Sequence, residues 1–312
     1  MTKQTKGIHH ITAIVGHPQE NADFYAGFLG LRLVKKTINF DDPGTYHLYF
    51  GDEIGNPGTI ITFFPWPGAH QGKNGSGQVG ITSYAVPPGS FPFWEKRLHA
   101  YNIEYLKITR FGEDSLLFDD LHGLHIELVE REEGPANAWA NDGFSSKVAI
   151  KGFAGATLLT AQPEQTGLLL EKVMGLTKVG KDKDFVRYQS IGDLGNRIDV
   201  KQTVMPKGQM GVGTVHHIAW RAENDADQLD WKDYLETEGM QVTPVKERQY
   251  FNAVYFREPG SILFEIATDP PGFTIDETRE ELGTKLMLPK WYEPQRGSIE
   301  EMLAPFEVRK LD

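Results

Sequence analysis

Short apolar runs bounded by glycine, proline or aspartate recur along this chain in a fixed order. The first, IHHITAIV from Ile8 to Val15, reads as a strand. PQENADFYAGFLG follows with phenylalanine, tyrosine and leucine at helical spacing, and it ends at Gly30, the residue type that takes a left-handed conformation just past a helix. LRLVKKTINF, GTYHLYFGD and GTIITFFPW then predict three more strands, because they are rich in β-branched and aromatic residues and separated by turn formers. The stretch from Gly213 to Pro270 repeats that order: a strand over His216–Arg221, a helix within DADQLDWKDYLETEG, and strands MQVTPVKER, FNAVYFREP and SILFEIATD. Superposing the two copies matches Tyr49-Phe50 with Tyr255-Phe256 and Gly58 with Gly260.

Two weaker copies fill the middle. Gly77 to Arg131 gives VGITSYAV, a helix in SFPFWEKRLHAYN, and strands ending in LLFDDLHGLHIELVE; Lys151 to Gln202 gives GFAGATLLTA, a helix around TGLLLEKVMG, then FVRYQSIG and NRIDVKQ. The polar stretch EEGPANAWANDGFSS between them reads as a midpoint linker, and Thr274 to Asp312 as a tail packed across the body. Each unit is thus β-α-β-β-β. One such unit leaves an apolar sheet face uncovered, so two must pair around a concave pocket. The expected class is α+β, with four βαβββ units forming two half-open mixed-sheet barrels. Units 1 and 4 (residues 1–70 and 205–273) form one half, units 2 and 3 (77–204) the other, and 274–312 the tail.

Composition changes this picture by exclusion. Acidic residues outnumber basic ones 43 to 32 over 312 residues, which offers no surface for nucleic acid. The absence of cysteine removes disulfides, thiolate nucleophiles and thiolate-bound metals. MTKQTKGIHH contains no apolar signal segment, and no run reaches the roughly 18 apolar residues of a membrane span, so a soluble cytoplasmic protein without membrane partners is expected.

Chemistry concentrates at the two ends. His9-His10 and His216-His217 open the first and fourth units, and Glu265 lies in the closing strand of the fourth. Two histidines and a carboxylate are the ligand set of a mononuclear non-haem Fe(II) site with open coordination positions. Candidates about two hundred residues apart can share one metal only if the fold joins the chain's ends. A carboxylate between Phe264 and Ile266 in an apolar strand is costly unless paired or metal-bound. Side chains alternate along a strand, so His9 and His10 are not both expected to face one metal. Glu127 holds the matching place in unit 2, but with no histidine opening that unit it reads as a salt-bridge residue. His122 and His125 read as turn and surface residues, and Trp66 and Phe273 as either pocket lining or packing.

The His-His-Ile openings and the Phe-Glu-Ile closing strand resemble those of the vicinal oxygen chelate superfamily, which includes glyoxalases, bleomycin-resistance proteins and extradiol dioxygenases. The resemblance covers nearly the whole chain. Unit 3 opens with Gly152-Phe153-Ala154 and offers no histidine, whereas unit 1 does. That placement resembles the bacillus-type ring-cleaving dioxygenases acting on hydroquinones. The resemblance implies metal ligands His10, His217 and Glu265, with His9, Thr12, His216, Arg248 and Tyr255 acting around the substrate. It also implies Fe2+ as cofactor (Mn2+ as the alternative), a small aromatic diol and O2 as substrates, and aromatic degradation or quinone detoxification as the setting.

Rival readings are a glyoxalase-type isomerase or lyase, a thiol transferase of the fosfomycin-resistance kind, and a non-enzymatic bleomycin-resistance-type binding protein. The isomerase needs a fourth, carboxylate ligand, and the position in unit 1 matching Glu265 falls close to Phe63. The transferase resembles a smaller, dimerising chain. Homo-oligomer formation stays open.

Overall fold

The computed structural model describes residues 3–139 and 143–309; the middle of the expected linker, 140–142, lies outside them. Unit 1 contains β1 (Ile8–Val15), α1 (Pro18–Ala22, continued by a π-helical turn over Asp23–Phe28), β2 (Arg32–Asn39), β3 (Asp42–Gly51) and β4 (Ile60–Pro65). Unit 2 contains β5 (Gln78–Val86), α2 (Phe91–Ala100), β6 (Tyr105–Arg110), β7 (Glu113–Asp119) and β8 (His125–Glu130). Unit 3 contains β9 (Gly152–Leu159), α3 (Pro163–Leu168, continued by a π-helical turn over Leu169–Val173), β10 (Thr177–Asp182), β11 (Phe185–Gln189) and β12 (Arg197–Lys201). Unit 4 contains β13 (Thr214–Ala222), α4 (Asp225–Thr237), β14 (Lys246–Glu247), β15 (Phe251–Arg257) and β16 (Leu263–Pro271).

The strands form two eight-stranded mixed sheets, in the orders β14-β15-β16-β13-β1-β4-β3-β2 and β10-β11-β12-β9-β5-β8-β7-β6. The first sheet therefore joins units 1 and 4, and the second joins units 2 and 3. In each, the opening strands of the two units meet antiparallel at the centre and run parallel to their own closing strands. This explains why IHHITAIV shows no apolar–polar alternation: β1 is central, and all eight of its residues are buried. Helices and the outer sheet faces share one large core that includes Phe24, Trp94, Leu170 and Trp231. A smaller apolar cluster, with Tyr49, Tyr250, Phe251 and Phe273, belongs to the first sheet alone.

Local signals explain the ends of two helices. His17 caps α1 by accepting from the Gln19 N–H, with Pro18 at the first helical position. Gly30 ends that helix at φ +73, and a Cβ there would come within 2.6 Å of the Phe144 ring. Asn224 caps α4 by accepting from the Asp227 N–H.

MQVTPVKER is a correction, since only Lys246–Glu247 of it is strand. The Thr243 N–H still bonds the Tyr255 carbonyl, but the Tyr255 N–H turns to the Thr243 hydroxyl, and Pro244 has no N–H to extend the ladder. The tail does pack across the body. Leu286 bridges to Lys36, while Leu288, Ile299 and Leu303 bury against Ile38. Lys35, fully buried on β2, sits 2.5 Å from Asp276 and also bonds Glu277, so the start of the tail is tied to an edge of the first sheet.

Candidate metal centre

The central strand pair builds the site. β1 and β13 are related by an approximate two-fold axis at the Ile11–Ile218 pair, so His10 faces Ala219 and Thr12 faces His217. Each histidine pair carries a register shift, with His9 and His216 as the extra residues. Such β-bulges suspend strict alternation and re-aim side chains. The bulges therefore keep His9 and His216 against their neighbours: His9 Nδ1 lies 2.9 Å from His10 Nδ1, as His216 Nδ1 lies 2.7 Å from His217 Nδ1. His9 still does not reach the centre itself.

The pairing of β16 with β13 sets Glu265 beside Ala219, in the same row as His10. His217 Nε2 is 2.9 Å and His10 Nε2 3.5 Å from Glu265 Oε2, and the two Nε2 atoms are 3.3 Å apart. One donor atom from each residue lies within 4.8 Å of the others, the only such cluster of three among the described residues. Glu265 is fully buried, yet neither of its oxygens receives a hydrogen bond of acceptable geometry. Atoms that converge on a common point without aiming donors at acceptors suit a cation, and an unneutralised carboxylate at this depth would be costly. The residues thus fit a metal of the two-histidine, one-carboxylate class.

Burial dominates the protonation states. It pushes Glu265 up, but the imidazoles of His10 and His217 outweigh it and hold the carboxyl well below the usual range. Burial lowers His217, which favours the neutral form that a metal ligand needs, and takes His216 down to about 3. His9 is pushed well below its ordinary value by burial and by His10. Its Nε2 is 3.1 Å from the Thr268 carbonyl, which can only accept, so the single proton of neutral His9 sits on Nε2. His9 Nδ1 then accepts the Nδ1 proton of His10, which leaves Nε2 as the His10 nitrogen facing Glu265. A backbone carbonyl thereby fixes the tautomer of a residue that never touches it.

These groups adjoin a cavity of about 340 Å3 whose wall includes His10, His217, Tyr255, Arg248, Trp66 and Phe251. Tyr255 pairs with Glu265 across β15 and β16, and Arg248 Nε donates to its hydroxyl at 3.3 Å. Burial, then Glu265, raises the Tyr255 pKa and keeps it a neutral phenol. Arg248 also donates to Asp41 at 3.1 Å. His216 lines the cavity as well, whereas His9 and Thr12 lie behind its wall. Trp66 lines it; Phe273 instead packs on Tyr49 and Tyr250.

Sequence reasoning missed three features. The unit 1 counterpart of Glu265 is Thr62, one residue from the expected Phe63: Thr62 pairs with Thr12 and Tyr49 as Glu265 pairs with Ala219 and Tyr255. His47, also lining the cavity, carried no signal beyond standing two residues before Tyr49. Asp199, paired with Thr157, is the unit 3 counterpart of Glu265, as Glu127 is that of unit 2. The second sheet thus keeps two carboxylates but binds them with arginine: Arg110 reaches Glu127 at 2.6 Å, and Arg187 reaches Asp199 at 2.7 Å. Glu127 is a salt-bridge residue, as expected. His125 is half-exposed beside Asp119, while His122 is a turn residue but a buried one, 3.4 Å from the Gly16 N–H.

The sequence model of the glyoxalase/bleomycin resistance protein/dioxygenase superfamily matches residues 7–276. The chain belongs to that superfamily. A superfamily member of Bacillus subtilis, MhqO, provisionally named a ring-cleaving dioxygenase, is 68% identical over 312 residues, with the whole of both chains covered. A crystal structure of a protein from the same species, provisionally named a dioxygenase, superposes with a TM-score of 0.99 at 67% identity, over 99% of this chain and 100% of that one. A chlorohydroquinone/hydroquinone 1,2-dioxygenase of Sphingobium indicum is 32% identical over 300 residues, 92% of each chain. The superfamily thus includes named ring-cleaving dioxygenases similar to this chain over nearly its full length.

Proposed function

We propose that the protein is an Fe(II)-dependent, extradiol-type dioxygenase that opens the ring of hydroquinone-type aromatic diols with O2. The observation that carries this reading is the buried Glu265 carboxylate, without a hydrogen-bond donor and facing two imidazoles beside a cavity with a phenol and a guanidinium on its wall. The similarity to a hydroquinone dioxygenase of Sphingobium indicum supports the substrate class.

His10, His217 and Glu265 would hold the metal; Mn2+ suits the same nitrogen and oxygen donors. Bound there, Fe(II) would lower the pKa of one substrate hydroxyl and bring the phenolate and O2 together. The protein's own contribution is orientation. Arg248 presents a fixed positive charge and Tyr255 a neutral O–H beside Glu265, suited to a substrate oxygen that becomes anionic. Asp41 holds the guanidinium from the rim. His216 places a second neutral imidazole on the cavity wall, able to accept or return a proton. His9 and Thr12, behind the wall, act by holding their neighbours in place. Thr62 provides no carboxylate where the isomerase reading requires a fourth ligand.

The test is anaerobic loading of the apoprotein with Fe(II), followed by oxygen-electrode assays on hydroquinones and catechols. Oxygen uptake with hydroquinone at one iron per chain is expected. Rapid catechol turnover with none on any hydroquinone would overturn the para-diol reading, and iron-loaded protein inert to every diol would overturn the enzyme.

A further inference from the structure

Thr12, Thr62, His47 and Tyr49 form a continuous hydrogen-bonded chain in unit 1. The hydroxyl oxygens of Thr12 and Thr62 are 2.7 Å apart, Thr62 meets His47 Nε2 at 2.8 Å, and His47 Nδ1 meets the Tyr49 hydroxyl at 2.8 Å. The ring of His47 is held between those of Tyr49 and Phe64, with centroids 4.1 and 4.5 Å away. His47 and Tyr49 reach the same cavity as Tyr255 and Arg248. By the two-fold relation of the strands, Tyr49 is the counterpart of Tyr255.

The two walls differ in charge. The unit 4 wall joins a carboxylate and a guanidinium to its phenol. The unit 1 wall has a threonine in place of the carboxylate, and burial pushes His47 down and Tyr49 up, so both are neutral. A para-diol presents the same asymmetry: one oxygen loses its proton at the metal, and the other, across the ring, remains a neutral hydroxyl. Among the described residues, the Tyr49 hydroxyl has His47 as its sole hydrogen-bond partner, and a phenol can make a further bond. When Thr62 donates to His47 Nε2, the Nδ1 proton goes to Tyr49, whose own O–H is then free for a guest. With the other tautomer, Tyr49 donates to His47 and can only accept.

Building on the proposed function, we infer that Tyr49 binds the distal hydroxyl of the para-diol and that His47 is the positioning residue setting its donor sense. The substrate is then held at both ends, which selects para-diols over monophenols.

The test measures dissociation constants of hydroquinone and phenol for the anaerobic Fe(II) holoenzyme. A parent preference for hydroquinone of roughly ten- to hundredfold is expected from one buried hydrogen bond whose loss leaves a polar group unpaired. Tyr49→Phe should collapse it. His47→Phe, which keeps the stacking, should do the same, and the double variant should lose no more than either single change, since both act through one hydroxyl. An undiminished preference in Tyr49→Phe, or losses that add, would overturn the inference while leaving ring cleavage intact. A parent that takes up oxygen with hydroquinone but binds phenol equally well also overturns it. A parent that neither binds nor cleaves hydroquinone removes the proposed function as well.

Discussion

Thr62 holds in the first repeat the sheet position that Glu265 holds in the fourth. Two rows cross the central strands, Tyr255–Glu265–Ala219–His10 and Tyr49–Thr62–Thr12–His217. A symmetric site would have two carboxylates; this one has a carboxylate and a hydroxyl. Replacing one charge with a neutral group is what leaves two imidazoles and a single carboxylate converging. The following outcomes are expected from that arrangement.

His10→Ala, His217→Ala and Glu265→Gln should each abolish stoichiometric iron binding, measured by metal analysis after anaerobic loading. Glu127→Gln is the matched control. It lies at the equivalent position of unit 2 but accepts from Arg110, Ser83 and Ser115. It should keep its iron and instead lose about 3–5 kcal/mol of stability, the usual effect of breaking a buried pair. Full iron content in any of the three ligand variants would refute the triad.

Tyr255→Phe and Arg248→Ala should lower kcat by on the order of 10²–10³ with iron still bound, as removal of one positioned donor to developing charge does. Oxygen uptake at saturating hydroquinone, with iron measured on the same samples, checks this. Parent-like turnover in both would show that the guanidinium and phenol act only on the rim.

Lys35→Ala should release the start of the tail from β2, because Asp276 and Glu277 then face each other without their shared cation. A loss of about 3–5 kcal/mol is expected in denaturant unfolding. Lys35→Ala combined with Asp276→Asn and Glu277→Gln should recover much of it. A single variant as stable as the parent would remove the tie from the account.

Asp120 gives a pH-dependent prediction. Burial raises its pKa, while it accepts from the Tyr25 hydroxyl and the N–H groups of His122 and Leu124. A carboxyl that binds its proton more tightly when folded contributes most below its unfolded pKa, near 4, and loses that contribution as pH rises through the folded value. Asp120→Asn, which cannot ionise, should therefore gain stability relative to the parent as pH increases from about 4. Urea midpoints of the two proteins across that range provide the measurement, and a constant difference between them would contradict it.

The four repeats, the pairing of units and the convergence of His10, His217 and Glu265 were legible because each rests on residue type and order. β1 was readable to its ends, since a central strand is buried on both faces and its flanks carry Gly7 and Gly16. Register was harder to read. Strands of six to nine residues tolerate a one-residue slip in alignment, so the counterpart of Glu265 could be read only as close to Phe63; it is Thr62, and such a slip exchanges one face of the sheet for the other. The bulges at His9 and His216 were hidden for a related reason: alternation is a rule of regular strands, and nothing in HHI marks its suspension. His47 and Lys35 acquire meaning only from partners distant in sequence. Lys35 meets acids 241 and 242 residues further on, and no local pattern encodes such a meeting.

The first ligand of the triad is made about two hundred residues before the second, and the carboxylate comes later still. Nascent chain that has not yet exposed β13 holds His10 with neither of its proposed partners. A premature stop or frameshift before Glu265, or a proteolytic cut that separates the ends, leaves a fragment with at most two of the three donors. On the proposed function, metal content would therefore report whether a chain extends past β16 as much as it reports activity.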